Sequence, residues 1–140
     1  MNFLLMLILS AAVLPVSTAG VAPAGVPAGY EALPLGQVRV THYTHHECHS
    51  RLTASGYVLK NADAGRVCAI SRDWWRGRVK SGDLVLIEGQ GTCVARDSMA
   101  DANRNGFAQR RWVDVYYTNR QKALDFGIQR ATAYVLKRRA

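Results

Sequence analysis

Acidic side chains are scarce in this sequence. Asp and Glu number 10 against 18 Lys and Arg, giving a formal charge of +8 and a pI near 9.9. Residues 1–30 carry no charged side chain, so the whole excess belongs to residues 31–140. A balance of this kind suits an anionic polymer as partner, although a solvated basic face has the same composition. Nucleic acid is the less favoured polymer: there is no nucleic-acid motif, no basic stripe interleaved with aromatics, and no phosphate-cradling loop. Sustained helical periodicity and internal repeats are also missing, which excludes bundles and solenoids. Cysteine is limited to Cys48, Cys68 and Cys93. In an oxidising compartment that odd number predicts one disulfide and one free thiol, with all three pairings open.

The N-terminus reads as an export signal. Phe3–Leu9 begins an apolar stretch that runs to Val16, and Ser17-Thr-Ala19 supplies small residues at a cleavage site. The stretch runs into Pro15 and is shorter than the roughly 20 residues that span a bilayer, so no membrane span is expected after cleavage. Residues 20–36 are mostly Gly, Ala, Pro and Val, the composition of a flexible leader. The expected organisation is therefore a signal peptide over 1–19, a leader over 20–36, and one folded domain over 37–140.

Within that domain, short β-branched runs predict strands at Val38–Tyr43, Val67–Ser71, Leu84–Glu88, Thr92–Arg96, Trp112–Tyr117 and Ala131–Leu136. Thr44–Asp63 reads as a long polar loop. Asn119 and Gly127 fit the N-cap and C-terminal stop of one helix over Arg120–Phe126. Six short strands and one small helix make an all-β fold, a small barrel.

Three aspartates stand at the ends of apolar runs: Asp73 in Cys68-Ala-Ile-Ser-Arg-Asp73, Asp97 in Thr92-Cys-Val-Ala-Arg-Asp97, and Asp114 in Trp112-Val-Asp-Val-Tyr-Tyr117. Carboxylates gathered on one rim shift each other's proton affinity, as acid–base cleavage of a sugar bond requires. The competing expectation is that they cap strands and accept backbone N–H bonds. A second cluster, His42, His45, His46, Cys48 and His49, contains metal-ligand types but matches no standard zinc spacing. Solvated histidines are the favoured reading there, and neither a metal nor a cofactor is expected. Trp74, Trp75 and Trp112 offer indole faces for stacking on sugar. One of the Trp74–Trp75 pair is expected to face a groove, with Trp74 the candidate, while Trp112 packs.

In order, Thr41-His-Tyr-Thr44, Thr53-Ala-Ser-Gly56, Gly82-Asp-Leu-Val-Leu-Ile-Glu-Gly89, Val94-Ala-Arg-Asp-Ser-Met99, Val113-Asp-Val-Tyr116 and Ala123-Leu-Asp-Phe-Gly127 resemble the 3D domain, named for its three aspartates. That domain occurs in stationary-phase muralytic proteins and in the C-terminal part of membrane-bound lytic transglycosylase A. The resemblance runs from Val38 to Leu136 and implies a double-psi β-barrel of the kind shared with expansins and barwin. It departs from the family's pattern in the long stretch between Asp97 and Asp114, and at Trp74, where proline is usual.

The resemblance implies a peptidoglycan lytic transglycosylase with Asp97 as acid/base, Asp114 and Asp73 completing the catalytic set, and Thr53 and Gly56 bordering the substrate groove. Tyr43 at the groove edge and the Trp74 indole are the further substrate-binding candidates that the residues themselves suggest. The expected partner is the peptidoglycan glycan strand and not nucleic acid. The expected state is a monomer, secreted or periplasmic and associated with the cell wall. Two alternatives stay open: a non-catalytic, expansin-like wall-binding module, and a periplasmic metal-binding protein built on the His42–His49 loop.

Overall fold

Alternation along the strands closes this chain into a barrel with two working faces. The computed structural model describes residues 21–101 and 108–140. The signal-peptide reading of residues 1–19 therefore lies outside the described residues. The elements are β1 (Tyr30–Tyr43), α1 (His45–Cys48), a 3₁₀ turn (Asn61–Asp63), β2 (Val67–Ile70), β3 (Leu84–Ile87), β4 (Gly91–Ser98), β5 (Trp112–Tyr116), α2 (Arg120–Phe126) and β6 (Gln129–Arg138). The six strands close in the order β1-β5-β2-β4-β3-β6. β1·β5 and β2·β4 run parallel, and the other four pairings are antiparallel. No helix among the described residues is long and apolar enough to cross a membrane.

The interior takes alternate residues of every strand. Val38 and Val40, Cys68 and Ile70, Cys93 and Ala95, Val113 and Val115, with Val85, Ile87, Ala133 and Val135, form one buried cluster. A disulfide joins Cys68 of β2 to Cys93 of β4, closing the open question of pairing and leaving Cys48 free and exposed. The helix forms as its caps dictate. Asn119 Oδ1 accepts the Lys122 N–H at 2.9 Å, and Gly127 ends the helix at φ 65°, where a side chain is disfavoured.

Two expectations need correcting. The leader ends earlier than its composition implied, because β1 begins at Tyr30 and pairs with β6 from Tyr30↔Arg138 onward. Leu35 is buried there, and a register shift between Pro34 and Gly36 accommodates the proline within the strand. The Thr44–Asp63 segment is also more ordered than a polar loop. Thr44 and Glu47 form a capping box at α1, Leu52 bridges Val58, and the Tyr57 hydroxyl donates to Asp63. Tyr57 and Leu59 then pack into a second cluster with Tyr43, Val67, Ala69, Met99, Trp112 and Tyr116. This cluster covers the outer face of the β1-β5-β2-β4 sheet, where Tyr43, Tyr116, Val67 and Ala69 point away from the interior.

Candidate active site

On that outer face, cross-strand register assembles a row. Thr41 of β1 lies opposite Asp114 of β5, Asp114 opposite Ala69 of β2, and Ala69 opposite Asp97 of β4. Residues directly opposite one another project to the same side of a sheet. Simple alternation would have sent Asp97 inward with Cys93 and Ala95. The register shift between Cys68/Ala69 on β2, which skips Arg96 on β4, turns it outward instead. Asp97 and Asp114 thus flank Ala69, roughly 9–10 Å apart at the backbone by two strand spacings. Ala69 between them is small and itself buried, in the cluster with Tyr43, Met99 and Trp112.

Their surroundings differ. Asp97 Oδ1 accepts two backbone N–H bonds, from Ala54 at 2.8 Å and from Ser98 at 2.9 Å. Burial lifts its proton affinity above the ordinary carboxylate range, and the two N–H bonds oppose the rise. Among the described residues Asp114 accepts one bond, from the Thr41 hydroxyl at 2.9 Å. Burial pushes Asp114 up to about 7; the Thr41 bond opposes this, while the negative charges of Glu47 and Asp97 add to it. Trp112 Nε1 donates to Thr41 Oγ1 at 2.7 Å. An indole N–H can only donate, so it fixes the Thr41 hydroxyl with its own proton aimed at Asp114.

The covering segment supplies the rest. Gly56 at φ 83° closes the Thr53–Gly56 turn, its N–H donating to Thr53 O at 3.0 Å. The Thr53 hydroxyl accepts the Tyr57 N–H at 3.1 Å, so the turn is rigid and presents the Ala54 N–H to Asp97. Glu47 is partly buried, which opposes ionisation, but two Thr44 hydrogen bonds and nearby Arg120 outweigh that and hold it below the usual range. Tyr43 projects from the same face of β1 as Thr41. Its hydroxyl is buried without a hydrogen-bond partner, and burial, then Asp97 and Asp114, push its proton affinity up.

An open groove adjoins Asp97. Ala54, Trp75 and Arg76 line two contiguous clefts of about 460 and 420 Å³, completed by Ser55, Lys80 and Ser81 on one side and by Arg72 and Ser98 on the other. Arg76 holds φ 65°, a left-handed conformation that is rare for a side chain of its size. Trp75, not Trp74, is the indole at the groove. Trp74 is 4 % exposed and belongs to the interior cluster, although the N–H groups of both tryptophans donate to Ser71 O.

Asp73 stands apart from the row. It lies beyond the end of β2, is exposed, and accepts the Arg111 N–H at 3.3 Å. The histidines do not form a single cluster either. The His42 ring stacks on Phe126 at 3.5 Å and meets Tyr117 at 4.2 Å, whereas His45, His46 and His49 line a separate surface cleft. Among the described residues no three His, Cys, Asp or Glu side chains converge so as to hold a metal ion. Thr41, Ala54 and Glu47 escaped the sequence reading as site residues. Only the Thr44–Glu47 capping-box spacing could have flagged the last of them. Compared with protein-family models and with curated proteins, the chain matches none.

Proposed function

We propose that this protein cleaves peptidoglycan glycan strands as a lytic transglycosylase, on a barrel of the double-psi kind. The observation that carries the reading is the Asp114–Ala69–Asp97 row, in which two carboxyl groups with raised proton affinity project from one sheet face, Asp97 being hydrogen-bonded to Ala54 and Ser98 of an indole-lined groove. Asp114, not Asp97, is the better proton donor, since its carboxyl is near half-protonated at neutral pH. It protonates the departing O4 as the C1–O4 bond between N-acetylmuramic acid and N-acetylglucosamine breaks. The resulting carboxylate then takes the proton of the muramyl 6-hydroxyl as that oxygen bonds to C1. The product is a 1,6-anhydro sugar, and Asp114 regains its proton. Asp97, held towards the ionised form by Ala54 and Ser98, offers negative charge to the oxocarbenium-like centre. Trp75 gives a sugar ring a face to stack on, and the basic surface draws the protein to an anionic wall. Export and wall association are part of the same proposal.

One rival keeps specific support. The groove at Trp75, Arg72 and Arg76 can hold a glycan without any proton transfer, as an expansin-like binding module would. Mass spectrometry of muropeptides released from purified sacculi separates the two. Release of 1,6-anhydro products by wild type, lost in Asp114→Asn with sacculus binding retained, supports the enzyme. Binding by wild type without release leaves the module.

A further inference from the structure

Four arginines gather at the end of the sheet where β5 begins. Arg39 of β1, Arg130 of β6, and Arg110 and Arg111 at the entry to β5 line a cleft of about 220 Å³ together with Gln37 and Val38. Arg39 and Arg130 are direct cross-strand partners, a like-charge pairing that destabilises a sheet unless an anion offsets it. Among the described residues no carboxylate pairs with either guanidinium. The described ion pairs are Arg72–Asp101, Arg120–Glu47 and Lys137–Asp83, and residues 1–20 and 102–107 contain no Asp or Glu. Asp73 is the nearest acid by contact, and it meets the backbone N–H of Arg111, not a guanidinium.

The cleft is built. Arg111 sits at φ 50°, a conformation that favours glycine, and its carbonyl accepts the Arg39 N–H at 2.9 Å. That bond ties the two arginine-bearing segments together. The Arg39 guanidinium lies over the Trp112 ring, 5.4 Å from its centroid. The same indole donates to Thr41, which bonds Asp114. Arg39 and Trp112 are each two residues before Thr41 and Asp114 on their strands, about 7 Å along the sheet. Planar guanidinium forks match the paired oxygens of carboxylate or phosphate.

We propose that this cleft binds an oxyanion substituent of the wall polymer, a carboxylate or a phosphate, and so sets which saccharide unit lies against Asp114. The assignment to wall polymer rests on the function proposed above; the oxyanion site itself does not. Inorganic phosphate titrated into the purified protein and followed by ¹⁵N NMR tests the site alone. Shifts centred on Arg39, Arg111 and Arg130, with binding at least about tenfold weaker in Arg39→Gln/Arg130→Gln, are expected. Shifts elsewhere, or unchanged affinity in the folded double variant, overturn it. Folding of the variant is checked by its amide spectrum, and Lys122→Gln, which removes a positive charge from an exposed residue that does not line the cleft, provides the control.

Co-sedimentation with sacculi then identifies the source. Stripping the stem peptides removes carboxylates, and stripping attached polymers removes phosphodiesters. One treatment should weaken wild-type binding to the level of the double variant, and equal binding to all three preparations overturns the substituent role. Phosphate binding without any glycan cleavage would keep the cleft and defeat the enzyme reading. Cleavage with arginine-independent phosphate binding would do the reverse.

Discussion

The two faces of the β1-β5-β2-β4 sheet are made by neighbouring residues of the same strands, yet they differ in character. Val40, Val113 and Ile70 point inward and are fully buried, while Thr41, Asp114 and Ala69, one residue away on each strand, face outward. The inner face is apolar and cross-linked by Cys68–Cys93. The outer face holds two carboxyl groups under a covering segment, one of them so far desolvated that its ionisation works against the fold. In the function we propose, the strand period of two separates stabilising from reacting residues, and the bulge at Arg96 is what turns Asp97 to the outer face.

Substitutions on either side of the sheet should therefore behave oppositely. Asp114→Asn should lower glycan cleavage by on the order of 10²–10⁴-fold, measured as anhydromuropeptide release. The same change should raise stability at pH 8. The folded-state value near 7 lies above the ordinary 3.8, so between those pH values the native state holds the proton more tightly than the unfolded chain. Stability contributed by the protonated form is then full below about pH 4 and lost as pH rises through 7, and asparagine escapes that loss. Denaturant melts of both proteins at pH 4 and pH 8 check it, with a difference expected only at the higher pH.

The inward neighbour Ile70→Ala should instead lose about 2–5 kcal/mol of unfolding free energy and keep its cleavage rate while folded. Replacing Cys68 and Cys93 with alanine should cost about 2–4 kcal/mol, again without changing the pH profile of cleavage. Thr41→Val sharpens the outer side. It removes the hydrogen bond that lowers Asp114, so the descending limb of the rate profile should move to higher pH. The shift should be under about one unit, since a hydrogen bond is worth about 1 kcal/mol. The smallest change is Tyr43→Phe, which deletes a buried, unpartnered hydroxyl and should leave stability equal or raise it by about 1 kcal/mol.

The sequence carried the elements well and their assembly poorly. α2 was legible to the residue because Asn119 and Gly127 act locally. Strand positions followed from β-branched runs, though β1 extends back to Tyr30 because its pairing with β6 is a long-range effect that Ala- and Pro-rich composition conceals. The disulfide could not be chosen among three cysteines before β2 and β4 were known to be neighbours. Asp97 and Asp114 were visible as candidates, but their grouping depends on register, and the different roles we propose for them depend on Thr41 and the Ala54 N–H. Asp73 looked equivalent to both by position after an apolar run, yet it lies past the end of its strand, beside the arginine cleft. Trp74 and Trp75 are adjacent in sequence, and only the packing of the barrel interior shows which is buried.

Titration of the Asp114 side-chain carboxyl by carbon-detected NMR tests the outer-face chemistry most directly. A midpoint near pH 7, falling towards the ordinary range when the covering segment is opened by denaturant, is the predicted result. A midpoint near 4 in the folded protein would mean that the row carries only a structural carboxylate, and the proton needed for glycan cleavage would have no source there.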